Sequence, residues 1–347
     1  MPPSVPVGAN GRYPLPDGLN VYYYFDPPSA YRVPLADSWN LTVQHEFAPS
    51  FTAEVGYIGN VGRHLFLNPN MNQAALDPNC MADGTCFDWN LRRRFYQKFG
   101  LTQFVGEICN CDNSSYHALQ VKVQKRASHG LDFLVTYTYG KAMGNATTYG
   151  GTAGNNLNWW EDHGPANFDR THTLTISHVW QLPVGRGRHW SPGSKALDTI
   201  LGGWDFSGIT TFESGLPFNA FLWWNPNANA DLTQYRPDQI GNPNVPDPSA
   251  NLWFNPAAYE IPTGIGRQGN VRRNSLRGPG LYNFDLSLGK MFTIAEGKTL
   301  EFKWETYNAT NHVNLVNPNS AIDSDGAGTI TGAASMRQMQ FGLHFRF

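Results

Sequence analysis

Four cysteines, Cys80, Cys86, Cys109 and Cys111, are the side chains whose chemistry is most readily named. Their spacings, C-x5-C and C-x-C, do not match the C-x2-4-C pairs that hold zinc. In an oxidising exterior they form disulfides, which brace a long loop by lowering the entropy of its unfolded chain. A bond across Cys109-x-Cys111 would be strained, so two crossed arrangements are expected. One is Cys80–Cys111 with Cys86–Cys109; the other is Cys80–Cys109 with Cys86–Cys111.

Other constellations carry less chemistry. Glu161-Asp162-His163, with Asp169 and His172, can be drawn as an acid/base or metal cluster. No nucleophile elbow and no H-E-x-x-H helix accompanies it, so Asp169, Arg170 and His172 read as a charge and hydrogen-bond network at a strand rim. Gly264-Ile265-Gly266-Arg267-Gln268-Gly269 spells the dinucleotide fingerprint, but Pro262 precedes it and no helical periodicity follows, leaving a glycine-rich loop. Asp323-Ser324-Asp325-Gly326 opens like a calcium loop without the distal bidentate Glu, and reads as a turn. Trp159-Trp160 and Trp223-Trp224 either pack loop against loop or stack on the apolar face of a ligand such as a sugar ring, a peptide or an aromatic chelator. Arg92-Arg93-Arg94 and Arg272-Arg273 read as solvated loop charge, and a net charge of -2 leaves no footprint for nucleic acid. No catalytic residue, metal or cofactor is expected, and the chain does not read as an enzyme.

The elements that would position these residues are strands. Charged residues are 15%, aromatics 14%, and 35 Gly with 24 Pro punctuate the chain, which argues against helical bundles and coiled coils. Period-2 alternation marks nine segments, near 37–47, 51–60, 115–127, 131–143, 167–182, 202–213, 281–293, 299–312 and 336–347. In the first, Trp39, Leu41, Val43 and Phe47 face away from Asn40, Thr42, Gln44 and Glu46; in the eighth, Leu300, Phe302 and Trp304 oppose Glu301, Lys303 and Glu305. A mean hydropathy of -0.41 and the lack of any apolar run of ~20 residues exclude a membrane-spanning helix but not a membrane barrel, whose alternating strands average out.

The connections separate a barrel from a soluble sandwich. Those at 61–114, 144–166, 214–280 and 313–335 are long, and they alternate with short or moderate ones. Outer-membrane barrels place every long loop outside and every short turn in the periplasm. The last segment puts Phe341, Leu343, Phe345 and Phe347 on one face and Gln340, His344 and Arg346 on the other, which looks like the signal read by the outer-membrane assembly machinery.

At the level of motifs, the chain resembles the barrels of TonB-dependent receptors, in particular the Oar-like group. Ser38-Trp39-Asn40-Leu41-Thr42-Val43-Gln44-His45-Glu46-Phe47 followed by Glu54-Val55-Gly56-Tyr57-Ile58-Gly59-Asn60 carries the resemblance. So do Asn167-Phe168-Asp169-Arg170-Thr171-His172, Gly202-Gly203-Trp204-Asp205-Phe206-Ser207-Gly208, Ser214-Gly215-Leu216-Pro217-Phe218 and Asn274-Ser275-Leu276-Arg277-Gly278-Pro279-Gly280. Glu305-Thr306-Tyr307-Asn308-Ala309-Thr310-Asn311-His312 looks like a worn copy of the family's Phe-Asn-Leu-Phe-Asn-His stretch.

The resemblance implies an all-β, antiparallel transmembrane β-barrel in a Gram-negative-type outer membrane, of which these are about nine of about 22 strands. It implies active import of a large or scarce nutrient (oligosaccharide, peptide or metal chelate), powered through a TonB-type inner-membrane complex that acts on a plug. No signal peptide, energiser-contacting segment or plug is visible before residue 37, so the chain reads as a C-terminal portion: 1–36 an extracellular loop segment, 37–347 barrel. The rival reading is a secreted soluble β-sandwich that binds carbohydrate through the Trp pairs.

Overall fold

Alternation of this strength yields one sheet with two unlike faces. The computed structural model describes residues 22–25, 31–84, 86–128, 130–145, 155, 157–225, 227, 230, 232 and 234–347. Nine long strands cross a single antiparallel sheet in strict chain order: β1 (Leu35–Ala48), β2 (Phe51–Leu67), β3 (Val105–Ser128), β4 (Leu131–Gly144), β5 (His172–Gln181), β6 (Trp204–Glu213), β7 (Leu281–Ala295), β8 (Lys298–Tyr307) and β9 (Gln338–Arg346). They correspond one for one to the nine alternating segments. The sheet is open, with β1 and β9 as its edges. Most of the segment 1–36 lies outside the described residues; within it, Tyr22–Phe25 pairs in parallel with Val105–Ile108, and Leu35 and Ala36 already belong to β1.

The register assigns the faces. Val43, Val55, Val121, Tyr137, Leu174, Phe212 and Tyr282 stand in one row from β1 to β7, because each is directly opposed to the next. The neighbouring row is Gln44, Glu54, Lys122, Thr136, Thr175, Thr211 and Asn283. A concavity of about 390 Å³ opens on the polar side, along Ser177, Ser207, Asp285, Ser287 and Glu305. On the apolar side Leu41, Val43, Phe341 and Leu343 are each more than 60% exposed. A sandwich needs a second sheet over that side. Among the described residues the other sheets are two-stranded pairs within a single connection, so the sandwich expectation is not met.

The two ends of the sheet differ. At one end the links are tight apart from 182–203: they include Pro49-Ser50 with Ser50 at φ 75°, and Glu296-Gly297 with Gly297 at φ 71°, where glycine meets the left-handed backbone without penalty. At the other end the connections 68–104, 145–171, 214–280 and 308–337 fold together into a cap. Here, rather than beneath the sheet, lie the closed apolar clusters. Phe218, Phe254, Tyr259, Val271 and Leu276 form one, within 214–280. Ala74, Leu222, Leu232 and Tyr235 form the other, joining 68–104 to 214–280, and Ile322 packs against both. A wall solvated by lipid on one face needs no core of its own, whereas loops in water must bury their apolar residues against one another.

The cysteines depart from expectation. β2 and β3 run on past the sheet as a bulged ribbon in which Leu67 opposes Cys109, so Cys109 and Cys111 sit on a strand rather than in a loop. Both disulfides are local, Cys80–Cys86 and Cys109–Cys111, in place of either crossed arrangement. Each pair is close along the chain: Cys80 opens a single helical turn, Cys80–Asp83, and Cys86 follows just beyond it, while Cys109 and Cys111 lie two residues apart on one strand.

Candidate ligand cleft in the loop cap

The connection 214–280 is too long to stay ordered unless it is tied down, and arginines do much of the tying. Asp162 is delivered by a 3-10 turn, Trp159–Asp162, and ion-pairs with Arg236; the two side chains are only 8% and 12% exposed. Arg273 donates to the carbonyl oxygens of Asn145 and, at 3.4 Å, Asp162. Burial pulls the Arg273 guanidinium below its ordinary value, an effect that Asp162 and Asp112 oppose. Asn274, at φ 52°, donates to the Pro165 carbonyl at 2.6 Å and to Asn167 Oδ1 at 2.7 Å. These contacts draw 145–171 and 214–280 together around a cleft of about 470 Å³.

Amides and guanidinium groups dominate its wall, with Asn167, Asn219, Gln234, Asn274, Arg236 and Arg273 present beside the single carboxylate of Asp162. Phe218 and Phe221 supply an apolar floor. Such a surface offers many donors, a surplus of positive charge and aromatic contact. It can hold a ligand bearing hydroxyl or carboxylate oxygens.

None of the four predicted tryptophans lines this cleft, though they adjoin residues at it. The Phe221 ring, which lines it, meets Trp223 edge-on at 5.1 Å, and Trp223 is 69% exposed. Trp224 packs edge-on against Tyr235 at 5.6 Å and against Trp89 of 68–104 at 6.1 Å, a loop-to-loop contact. Trp159 and Trp160 open the turn that carries Asp162; Trp160 is exposed and Trp159 half-buried. The segment 323–326 is a turn whose Asp323 carboxylate accepts the backbone amides of Trp223 at 2.9 Å and Trp224 at 3.2 Å.

The strand-rim residues separate into pairs. Asp169 ion-pairs with Arg277, Arg170 with Glu213 at 3.1 Å, and His172 Nδ1 lies 2.8 Å from the Tyr137 hydroxyl. His163 Nδ1 lies 2.9 Å from Asn145 Oδ1, and Glu161 accepts from Asn158 Nδ2 at 2.5 Å. Among the described residues no group of three or more His, Cys, Asp or Glu could hold a metal ion. The glycine-rich loop is followed by no helix; Gly266 instead presses against Asp77–Pro78, and its amide donates to the Asn227 carbonyl at 2.6 Å.

Two arginine readings need correction. Arg93 is buried and donates to Asn90 Oδ1 and the Asn72 carbonyl, while Arg92 donates to the Ala75 carbonyl at 2.6 Å. Of the pair 272–273 only Arg272 is exposed. Backbone carbonyls far along the chain satisfy these cations, and no local spacing announces that. Arg236 carries no sequence signal at all; the asparagines scattered through two long connections were the available hint to an amide-lined cleft.

Several solved structures are similar to this chain. The outer membrane transporter YddB from Escherichia coli matches at 10% identity and TM-score 0.52, over 91% of this chain and 33% of that one. The ferripyoverdine receptor of the Pseudomonas aeruginosa outer membrane matches at 8% identity and TM-score 0.44, over 90% and 27%. The unliganded ferric citrate transporter FecA matches at 13% identity and TM-score 0.37, over 90% and 30%. The chain thus spans about a third or less of the solved chains it matches. No curated protein matches its sequence. The family model described as an outer membrane beta barrel domain matches residues 1–340, and the chain belongs to that family of the outer membrane.

Proposed function

We propose that this chain is the C-terminal barrel portion of a TonB-dependent receptor, about nine strands of a wall of about 22. The carrying observation is the sheet itself: one layer, an apolar face in exposed rows, a polar concave face, and a cap built at one end only. In this reading the capped end faces outward, the tight turns face the periplasm, and residues 1–36 belong to the outer side, where Tyr22–Phe25 meets the β3 ribbon. The cap captures a large or scarce nutrient rich in hydroxyl or carboxylate oxygens, such as an oligosaccharide, a peptide or a metal chelate. Arg236, Arg273 and the cleft amides bind it, and Trp160 and Trp223 stack on its apolar parts.

No covalent chemistry is involved. A plug held elsewhere in the polypeptide moves when the inner-membrane TonB-type complex pulls, and the polar face lines the route. The row Phe341, Leu343, Phe345, Phe347 serves outer-membrane assembly.

The test is genetic and biochemical. The natural polypeptide should fractionate with outer membranes and require detergent. A strain lacking it should lose growth on a nutrient that a strain lacking the inner-membrane energiser also loses. A water-soluble product, or a nutrient phenotype independent of the energiser, overturns the reading.

A further inference from the structure

The connection between β5 and β6, residues 182–203, is not a plain turn. It carries a short helix, α1 (Lys195–Leu201), capped by Ser194, whose hydroxyl accepts the Leu197 amide at 3.2 Å. Leu197, Ile200 and Leu201 recur at i, i+3 and i+4, and so share one side of it. That side is unburied: the three residues are 48%, 62% and 50% exposed.

The helix is fastened to a particular face of the sheet. The Trp204 indole donates to the Ile200 carbonyl at 2.9 Å, and Lys290 Nζ donates to the carbonyls of Thr199 at 2.7 Å, Ile200 at 3.2 Å and Gly202. Trp204 and Lys290 oppose one another, and Lys290 opposes Phe302, which opposes Leu343; all four stand on the apolar face. A lysine on that face requires a reason. The unpaired carbonyls at the C-terminal end of α1 supply one, since they complement a cation and leave Lys290 only 5% exposed. The C-terminal end of the helix is therefore bolted to the outer wall rather than to the lumen.

The rest of the connection has the composition of an interfacial element. Arg186, Arg188 and Lys195 are exposed, as is Trp190 at 59%, while the carboxylate of Asp198 is engaged with the Arg186 amide at 2.6 Å. Apolar residues on one side, basic residues around them and an exposed indole suit the boundary between acyl chains and phosphate headgroups.

We propose that α1 lies on the outside of the barrel in the headgroup–acyl interface of the periplasmic leaflet, with Leu197, Ile200 and Leu201 in lipid and Lys290 as its anchor. The lipid surface is the occupant because the helix continues a face already committed to lipid. The inference rests on the barrel reading above.

Its test is nitroxide labelling of the full-length protein in phosphatidylethanolamine–phosphatidylglycerol vesicles, without reductant so that the disulfides stay closed. Single labels at Leu197 and Ile200 should show an oxygen-to-nickel-chelate accessibility ratio several-fold above that of a label at Lys195. Labels at Val121 and Gln120 report the two strand faces. If Val121 is lipid-like and Gln120 water-like while Leu197 and Ile200 match Lys195, this proposal fails and the barrel reading stands. If Val121 is itself water-like, the barrel reading fails and takes the proposal with it. Lys290→Met should release the helix, sharpening the spectrum at Ile200 without altering that at Val121; an unchanged spectrum at Ile200 refutes the anchor.

Discussion

Arg277 reaches back across the cap to Asp169 and closes an ion pair in which the carboxylate is 1% exposed. The same carboxylate accepts the Ala142 amide at 2.6 Å, so it ties the top of β4 to the approach of β7. Arg277→Ala strands a buried charge and should destabilise the cap by ~3 kcal/mol, whereas Asp169→Asn with Arg277→Met keeps an acceptor for Ala142 and should cost far less. Breaking Arg346–Glu301, whose side chains are 66% and 29% exposed, should cost under ~1 kcal/mol. Rates of limited proteolysis of the detergent-solubilised protein in urea rank the three. Equal effects from Arg277→Ala and the double variant would refute the pair's burial argument.

The two faces make opposite demands. Val121→Arg places a cation amid the apolar row and should block assembly, at a cost of ~2–4 kcal/mol if it sits near the bilayer midplane. Gln120→Arg and Lys303→Arg, on the polar face, should be tolerated. Phe302→Arg should block assembly as well, because it sets a second cation directly opposite Lys290, whose own charge is already met by the carbonyls of Thr199, Ile200 and Gly202. Outer-membrane yield of each variant is the measurement; equal losses on both faces would reverse the assignment.

Gly266 and Gly84 separate backbone strain from crowding. Both hold a left-handed backbone, φ 67° and 76°, so alanine costs ~1–2 kcal/mol at either. At Gly84 an added Cβ meets nothing, while at Gly266 it strikes the Asp77 carbonyl. Gly266→Ala should therefore open the seam between 68–104 and 214–280, and Gly84→Ala should not. Protease cleavage within 68–104 tells them apart.

The strands were legible because each has two faces, as in Phe302 beside Lys303, and because register only sums those local preferences. Legibility stopped where faces stop. Gly62, His64 and Asn110 break the alternation, which hid the ribbon that carries Cys109 and Cys111. The cap was illegible for a different reason. Its contacts, Arg273 to the Asn145 carbonyl or Gly266 to Asp77, join segments distant in sequence through backbone atoms that every residue has.

Tyr259 gives the cap a pH limit. Its hydroxyl is buried without a hydrogen-bond partner, and burial pushes it from 10.0 up to about 12. The unfolded chain then loses its phenolic proton first. Stability from this residue is complete below pH 10 and is lost as pH rises toward 12. Tyr259→Phe should flatten that alkaline loss and cost little at neutral pH, since it removes an unsatisfied polar group. Proteolysis by an alkaline protease across this range should show the difference; parallel curves for both proteins would remove Tyr259 as the cause.

The last expectation concerns the edges. β1 and β9 each have one paired neighbour, β2 and β8, and every residue of β1 is exposed. In lipid, an unpaired strand leaves N–H and C=O groups that no water satisfies, each costing several kcal/mol. Long exposed edges also invite false pairing. Residues 1–347 refolded alone should therefore aggregate or remain an open curled sheet, without the heat-modifiable gel shift of a closed barrel. Supplied with the further strands of the proposed larger barrel in one polypeptide, β9 should pair with the first of them and the shift should appear. A monomer of 1–347 that shows the shift and conducts ions would mean that β1 and β9 close on each other, and the proposal of a larger barrel would fall.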